Sequence, residues 1–160
     1  MLAAAVAAAA LTTTAAVAAP STVHECGVAQ VSAHFSPGSP GAGQRYATLT
    51  LTNKSAHTCV TGGYVGLGLL NGRGHEVATN AERIDFSAAR TLYLRPGAKA
   101  TSQMHWSVIN GTGDTSRGPC FVAPRSILVT PPNSYISLRL RWRMGTVCER
   151  GTITITPLAI

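Results

Sequence analysis

The chain has 160 residues and a formal charge of +7, from 13 basic against 6 acidic side chains. That is one domain's worth of chain, long enough to bury a true core. The six acids (Glu25, Glu76, Glu82, Asp85, Asp114 and Glu149) include no pair in a recognisable catalytic context, so neither catalysis nor a cofactor is expected.

Residues 1–18 differ in kind from the rest: they are mostly Ala, Val, Leu and Thr, without charge. They read as the apolar and cleavage regions of a secretory signal, with Ala16-Val17-Ala18 as the small residues before a cut at Ala19. The basic leader usual before such a segment is missing, and a start upstream of Met1 is expected. A transmembrane anchor is the rival reading, but an alanine-rich run of this length is weakly apolar and barely spans a bilayer. Residues 19–25 then form a short tail and 26–160 one domain, with no stable membrane span in the mature chain. Secretion, or retention in the cell envelope, is the expected location.

Lys54 and Lys99 are the only lysines; the other basic residues are arginines. With so much Ala and Gly, this points to a GC-rich genome of the actinobacterial kind. The net charge implies attraction to anionic surfaces such as phosphate-bearing wall polymers or lipids, and no specific nucleic acid. In an exported chain, Cys26, Cys59, Cys120 and Cys148 imply two disulfides, for which three pairings exist. Cys26–Cys59 and Cys120–Cys148 are favoured, because each closes a moderate loop and ties a strand entrance to a neighbour.

Taken in chain order, Cys26–Phe35 alternates, with Ala29, Val31, Ala33 and Phe35 on one face. Ser36–Gly43 is rich in Pro and Gly and forms a loop. Tyr46–Thr52 is a half-buried strand with Ala47, Leu49 and Leu51 inward, ended by the polar turn Asn53-Lys54-Ser55. Cys59 opens a second run, whose glycines at 62, 63, 66 and 68 mark a bulge or a close backbone approach. Asn71–Gly74 predicts a hairpin back into His75–Ala78. Thr79–Arg90 reads as a long connection with room for an extra short strand or a helical turn. Arg90–Leu94 and Lys99–Ile109 flank the turn Arg95-Pro96-Gly97, the latter with Met104, Trp106 and Val108 inward. Asn110–Pro119 is a polar loop. Ser126–Thr130 is a short strand. Tyr135–Met144 is the clearest strand of all, with Ile136, Leu138, Leu140, Trp142 and Met144 inward, and Gly151–Ile155 closes the sheet. No amphipathic helix follows the signal. The expected fold is all-β, a disulfide-stapled, immunoglobulin-like antiparallel sandwich of about 7–9 strands.

In order along the chain, Cys26, LTLTN at 49–53, CVTGGY at 59–64, LRPG at 94–97, Trp106, Cys120, TPP at 130–132, Cys148 and ITPL at 155–158 carry a family likeness. The chain resembles the secreted actinobacterial domain family of unknown function numbered 4232, from about Cys26 to Leu158. Val65 stands where that family usually has Pro, and the lipid-attachment cysteine of many members is missing. The resemblance implies an immunoglobulin-like fold, export and the four-cysteine framework. It brings no catalytic residues.

Arg139, Arg141 and Arg143 lie on one face of their strand at a spacing of about 7 Å, a basic stripe able to grip phosphate or carboxylate. The plainer alternative is a solvated outer face that discourages edge pairing. The resulting expectation is an exported binding or envelope-structural module of unknown ligand, its partner an anionic envelope polymer or another exported protein. The loops Ser36–Arg45, Thr79–Ala89 and Asn110–Pro119 are the expected places for a partner site. The alternative is an extracytoplasmic copper- or zinc-binding sandwich using His24, His34, His57, His75 or His105. Against it, no C-x-x-C exists, and Met104 and His105 point to opposite faces of a strand, so no metal ligands are assigned.

Overall fold

The computed structural model describes residues 22–85, 87–111, 113–115, 117–120 and 123–160. The expected signal at 1–18 and residues 19–21 of the expected tail lie outside the described residues. Among the described residues there are eleven strands: β1 Val31–Pro37, β2 Gln44–Asn53, β3 Cys59–Gly62, β4 Gly66–Leu70, β5 Glu76–Val77, β6 Asn80–Arg83, β7 Thr91–Leu94, β8 Lys99–Ser107, β9 Ser126–Thr130, β10 Leu138–Arg141 and β11 Thr152–Ile155. A single turn of 3-10 helix, Glu149–Gly151, precedes β11. Among the described residues no helix is long and apolar enough to cross a membrane.

The strands form a five-stranded sheet, β1-β2-β8-β11-β6, a four-stranded sheet, β10-β9-β4-β5, and the two-stranded pair β3-β7. All pair antiparallel except β6 with β11, which run parallel. The fold is all-β, with the inner faces of the two larger sheets sharing one core. Ala47, Leu49 and Leu51 of β2 share one buried face of the sheet with Met104, Ala100 and Trp106 of β8 and Ile153 and Ile155 of β11. Leu69, Ile127 and Val129 contribute from the second sheet, and all belong to one buried cluster. This is the period-two alternation of strands buried on one face. At one end of the core Trp142 packs on Trp106 with ring centroids 5.1 Å apart, and Phe35 meets Trp142 edge-on at 6.2 Å.

The strand count is higher than the pattern suggests because single runs are divided. The run from Cys59 splits at Gly62–Val65 into β3 and β4, which join different sheets. Gly62 has φ +150, and a Cβ there would lie 2.2 Å from the Arg90 carbonyl oxygen, the close approach that the glycines foreshadow. The connection 79–90 holds β6, whose partner β11 is some seventy residues away. The first strand starts at Val31 rather than Cys26. Gln30 and Val31 donate N–H groups to Gly27 O, and this turn leaves Ala29 exposed. The expected strand from Tyr135 to Met144 is regular only over Leu138–Arg141. Ser134 Oγ accepts the Ile136 N–H at 3.1 Å and donates to its carbonyl. That local turn holds Tyr135 and Ile136 off the sheet, so Ile136 is 65 % exposed instead of inward.

The polar turn after β2 is more than punctuation. Asn53 is buried, and its Nδ2 donates to Leu94 O and His57 O, both at 2.8 Å. Its Oδ1 accepts from Ser55 N and Ser55 Oγ, and its backbone pairs with Gly97 and Ala98. Every hydrogen-bonding position of the amide is used, and together they lock β2 to the β7–β8 turn. Asn53→Ala leaves the buried Leu94 carbonyl without this donor and is expected to destabilise the fold by about 2–3 kcal/mol. The urea midpoint followed by tryptophan fluorescence checks this; a loss under about 0.5 kcal/mol would show that the network matters little.

The structure joins Cys26 to Cys59 and Cys120 to Cys148. The first bond ties the N-terminal segment beside β3, where Cys26 N also donates to Val60 O at 2.8 Å. The second lies at the Ser107 end of β8, where Cys148 N donates to Ser107 O.

Candidate anion-binding groove

The basic stripe sits on β10, an edge strand hydrogen-bonded only to β9. Register places Arg139 opposite Leu128 and Arg141 opposite Ser126. Leu138 and Leu140 are half-buried against the core while Arg139 and Arg141 are exposed, as alternation demands. After Arg141 the chain leaves the sheet. Trp142 turns inward, its N–H bonded to Arg125 O at 3.0 Å and its Nε1 to Gly145 O at 2.7 Å. Arg143 remains exposed beyond the strand end.

The same register brings in a fourth arginine. Arg125 immediately precedes β9, and its N–H donates to Leu70 O at 2.8 Å. A groove of about 520 Å³ is lined by Arg125, Arg139, Arg141 and Arg143 together with Asn71 and Ser126. No acidic side chain is among the described residues that line it. Two of the arginines converge on the β4–β5 turn. A Cβ built on Gly74 would stand 3.8 Å from an Arg139 Nη, and one on Gly72 would stand 3.5 Å from Arg125 Cγ. The turn itself is held by Asn71, whose Oδ1 accepts the Arg73 and His75 N–H groups. Four arginine side chains therefore border one open groove on the sheet. Each presents a planar fork of donors matched to phosphate or carboxylate oxygens. The stripe 139/141/143 was legible from spacing two. Arg125 was not, because its place depends on the length of the hairpin between β9 and β10.

The expected loops behave differently. Residues 36–45 close a tight turn through mutual Gly41–Gln44 backbone bonds and line a separate hollow. The segment 79–89 is partly β6, with residue 86 outside the described residues. In the loop 110–119, where residues 112 and 116 lie outside the description, Asp114 is a bracket rather than a ligand. Its carboxylate accepts N–H groups from Gly111, Glu149 and Arg150. Desolvation raises its pKa, but those three donors and the Arg150 charge outweigh it and hold the carboxyl below the usual aspartate value. The bracket supports Glu149 and Arg150, both in the left-handed region at φ 53° and 58°.

The histidines are dispersed. His24, His34, His57 and His75 are exposed. His105 is engaged by Gln44 Oε1 at 2.6 Å and stacks on Tyr46 at 4.8 Å. The group within metal-ligand reach among the described residues is Asp114, Cys120 and Cys148, but both sulfurs are in a disulfide and offer no thiolate. Tyr64 donates its hydroxyl to Asp85, and this bond above all raises its pKa; Arg83 lies over its ring at 5.2 Å.

No curated protein and no solved structure matches the chain. A family model described as a domain of unknown function, DUF4232, matches residues 26–159, from the first cysteine to the penultimate residue. The match spans all eleven strands and both disulfides, and the chain belongs to the DUF4232 family.

Proposed function

We propose that this is an exported binding domain that adheres to an anionic polymer of the cell envelope through the groove of Arg125, Arg139, Arg141 and Arg143. The observation that carries the reading is the convergence of four guanidinium groups on one groove with no carboxylate in its described lining. The net charge of +7 supports long-range attraction to such a polymer. Two disulfides support an oxidising location outside the cytoplasm. Export and envelope location belong to this proposal.

The test is retention on isolated cell-wall material as salt is raised. R139E/R141E/R143E is expected to lower wall affinity by at least about tenfold, since losing even one charge-assisted bond removes about 1.5 kcal/mol. K54E/R95E/K99E makes the same change in net charge at exposed positions away from the groove and is expected to bind far better than the groove variant. Equal retention of the groove variant and wild type would refute the proposal. Equal loss in both triple variants would reduce it to a net-charge effect and refute the groove.

A further inference from the structure

A second hollow, of about 460 Å³, opens at the end of the sandwich where β2 begins and β8 ends. Its size falls among small-molecule sites, which span about 300–1,000 Å³. Pro37, Val108, Met144 and Trp106 supply apolar lining, and Arg45 and Arg143 are the charged side chains among the described residues around it. Arg45 is opposite Trp106 in the β2–β8 register, hence on the same face. Its Nη1 donates to Gln44 O at 3.1 Å, which steadies the side chain and leaves its other donors.

The most telling atom is Trp106 Nε1. Trp106 is only 2 % exposed, and this N–H has no hydrogen-bond partner. Its neighbour Trp142 shows the ordinary arrangement, with its indole donating to Gly145 O. A buried donor without an acceptor is unfavourable and uncommon in folded proteins, and here it belongs to a residue that lines a cavity.

We propose that this hollow binds a small carboxylate with an apolar, ring-sized body. The carboxylate oxygens lie between the guanidinium groups of Arg45 and Arg143, and a small turn of the Trp106 indole, whose Nε1 is buried from solvent, gives it an acceptor. The body packs on Val108, Met144 and Pro37. A planar monoanion suits the guanidinium forks, and the apolar walls favour it over a strongly hydrated phosphate. The site shares Arg143 with the polymer groove and otherwise rests on separate residues.

The probe is 2-naphthoate, with neutral 2-naphthamide as its comparison, titrated into the ¹⁵N-labelled protein. The readout is the indole N–H signal of Trp106, one of two in the spectrum, assigned with a Trp142→Phe variant. Naphthoate is expected to shift that signal downfield and saturably, with a Kd below about 1 mM. Naphthamide is expected to bind at least tenfold more weakly, and R45Q/R143Q to lose at least tenfold for naphthoate. Should that double variant fail to fold, Arg143→Gln alone, at an exposed position, carries the comparison. No saturable shift, equal binding of the amide, or undiminished binding by the arginine variant would each overturn the proposal.

Discussion

Gly151→Ala is expected to cost about 4 kcal/mol or more and to leave little folded protein at 37 °C. Gly151 has φ +77, a conformation that costs an L-residue about 1–2 kcal/mol. The larger part is steric. A Cβ there would lie 1.9 Å from the Ala78 carbonyl oxygen and 2.6 Å from its carbon, both backbone atoms that no rotamer change can move. The approach follows from topology. β11 starts at Thr152 and pairs in parallel with β6 from Asn80, so the two chains enter the sheet side by side just before those residues. Equilibrium unfolding in urea, read by tryptophan fluorescence and circular dichroism, measures the effect. A loss below about 1 kcal/mol would mean that the two backbones are not in contact.

Removing either disulfide is expected to cost roughly 3–4 kcal/mol by the loop-entropy relation, for sequence separations of 33 and 28. The suitable variants are C26A/C59A and C120A/C148A, because all four positions are buried and alanine adds no unpaired hydroxyl. The two differ in what they release. Without Cys26–Cys59 the N-terminal segment is held by backbone bonds such as Cys26 N to Val60 O and Val60 N to His24 O. The loop closed by Cys120–Cys148 contains β9 and β10, and with them all four arginines of the groove. C120A/C148A is therefore expected to weaken wall retention as well as stability, whereas C26A/C59A, at temperatures where it remains folded, lowers stability alone. Thermal unfolding with and without reductant, alongside the retention assay, separates them. Equal loss of retention in both would contradict the assignment of the groove to the 120–148 loop.

The parts of the fold legible in the sequence are those fixed by neighbours along the chain. Leu49 and Leu51 against Thr48 and Thr50 declare β2, Ile127 and Val129 declare β9, and Asn71–Gly74 declares the β4–β5 hairpin. Trp106 and Trp142 read as core, and both are buried. What stayed hidden depends on distant partners. The division of the Cys59 run reflects the passage of the Arg90 carbonyl beside Gly62. The parallel pairing of β6 joins segments with no local signal in common. Ile136 carries the right period but is lifted away by Ser134, a hydroxyl competing locally for the backbone. The candidate site divides in the same way. Arg139, Arg141 and Arg143 follow from alternation, whereas Arg125 and the Trp106 hollow exist only once the β9–β10 and β2–β8 registers are known.

The most direct test of the anionic-polymer reading is the salt dependence of affinity for purified poly(glycerol phosphate), measured for the wild type and for four single Arg→Gln variants at 125, 139, 141 and 143. If each guanidinium displaces about one condensed cation, the slope of log K against log salt falls in magnitude by somewhat under one unit in every variant. A slope unchanged in all four, or binding indifferent to salt, would contradict the assignment of that groove to an anionic polymer.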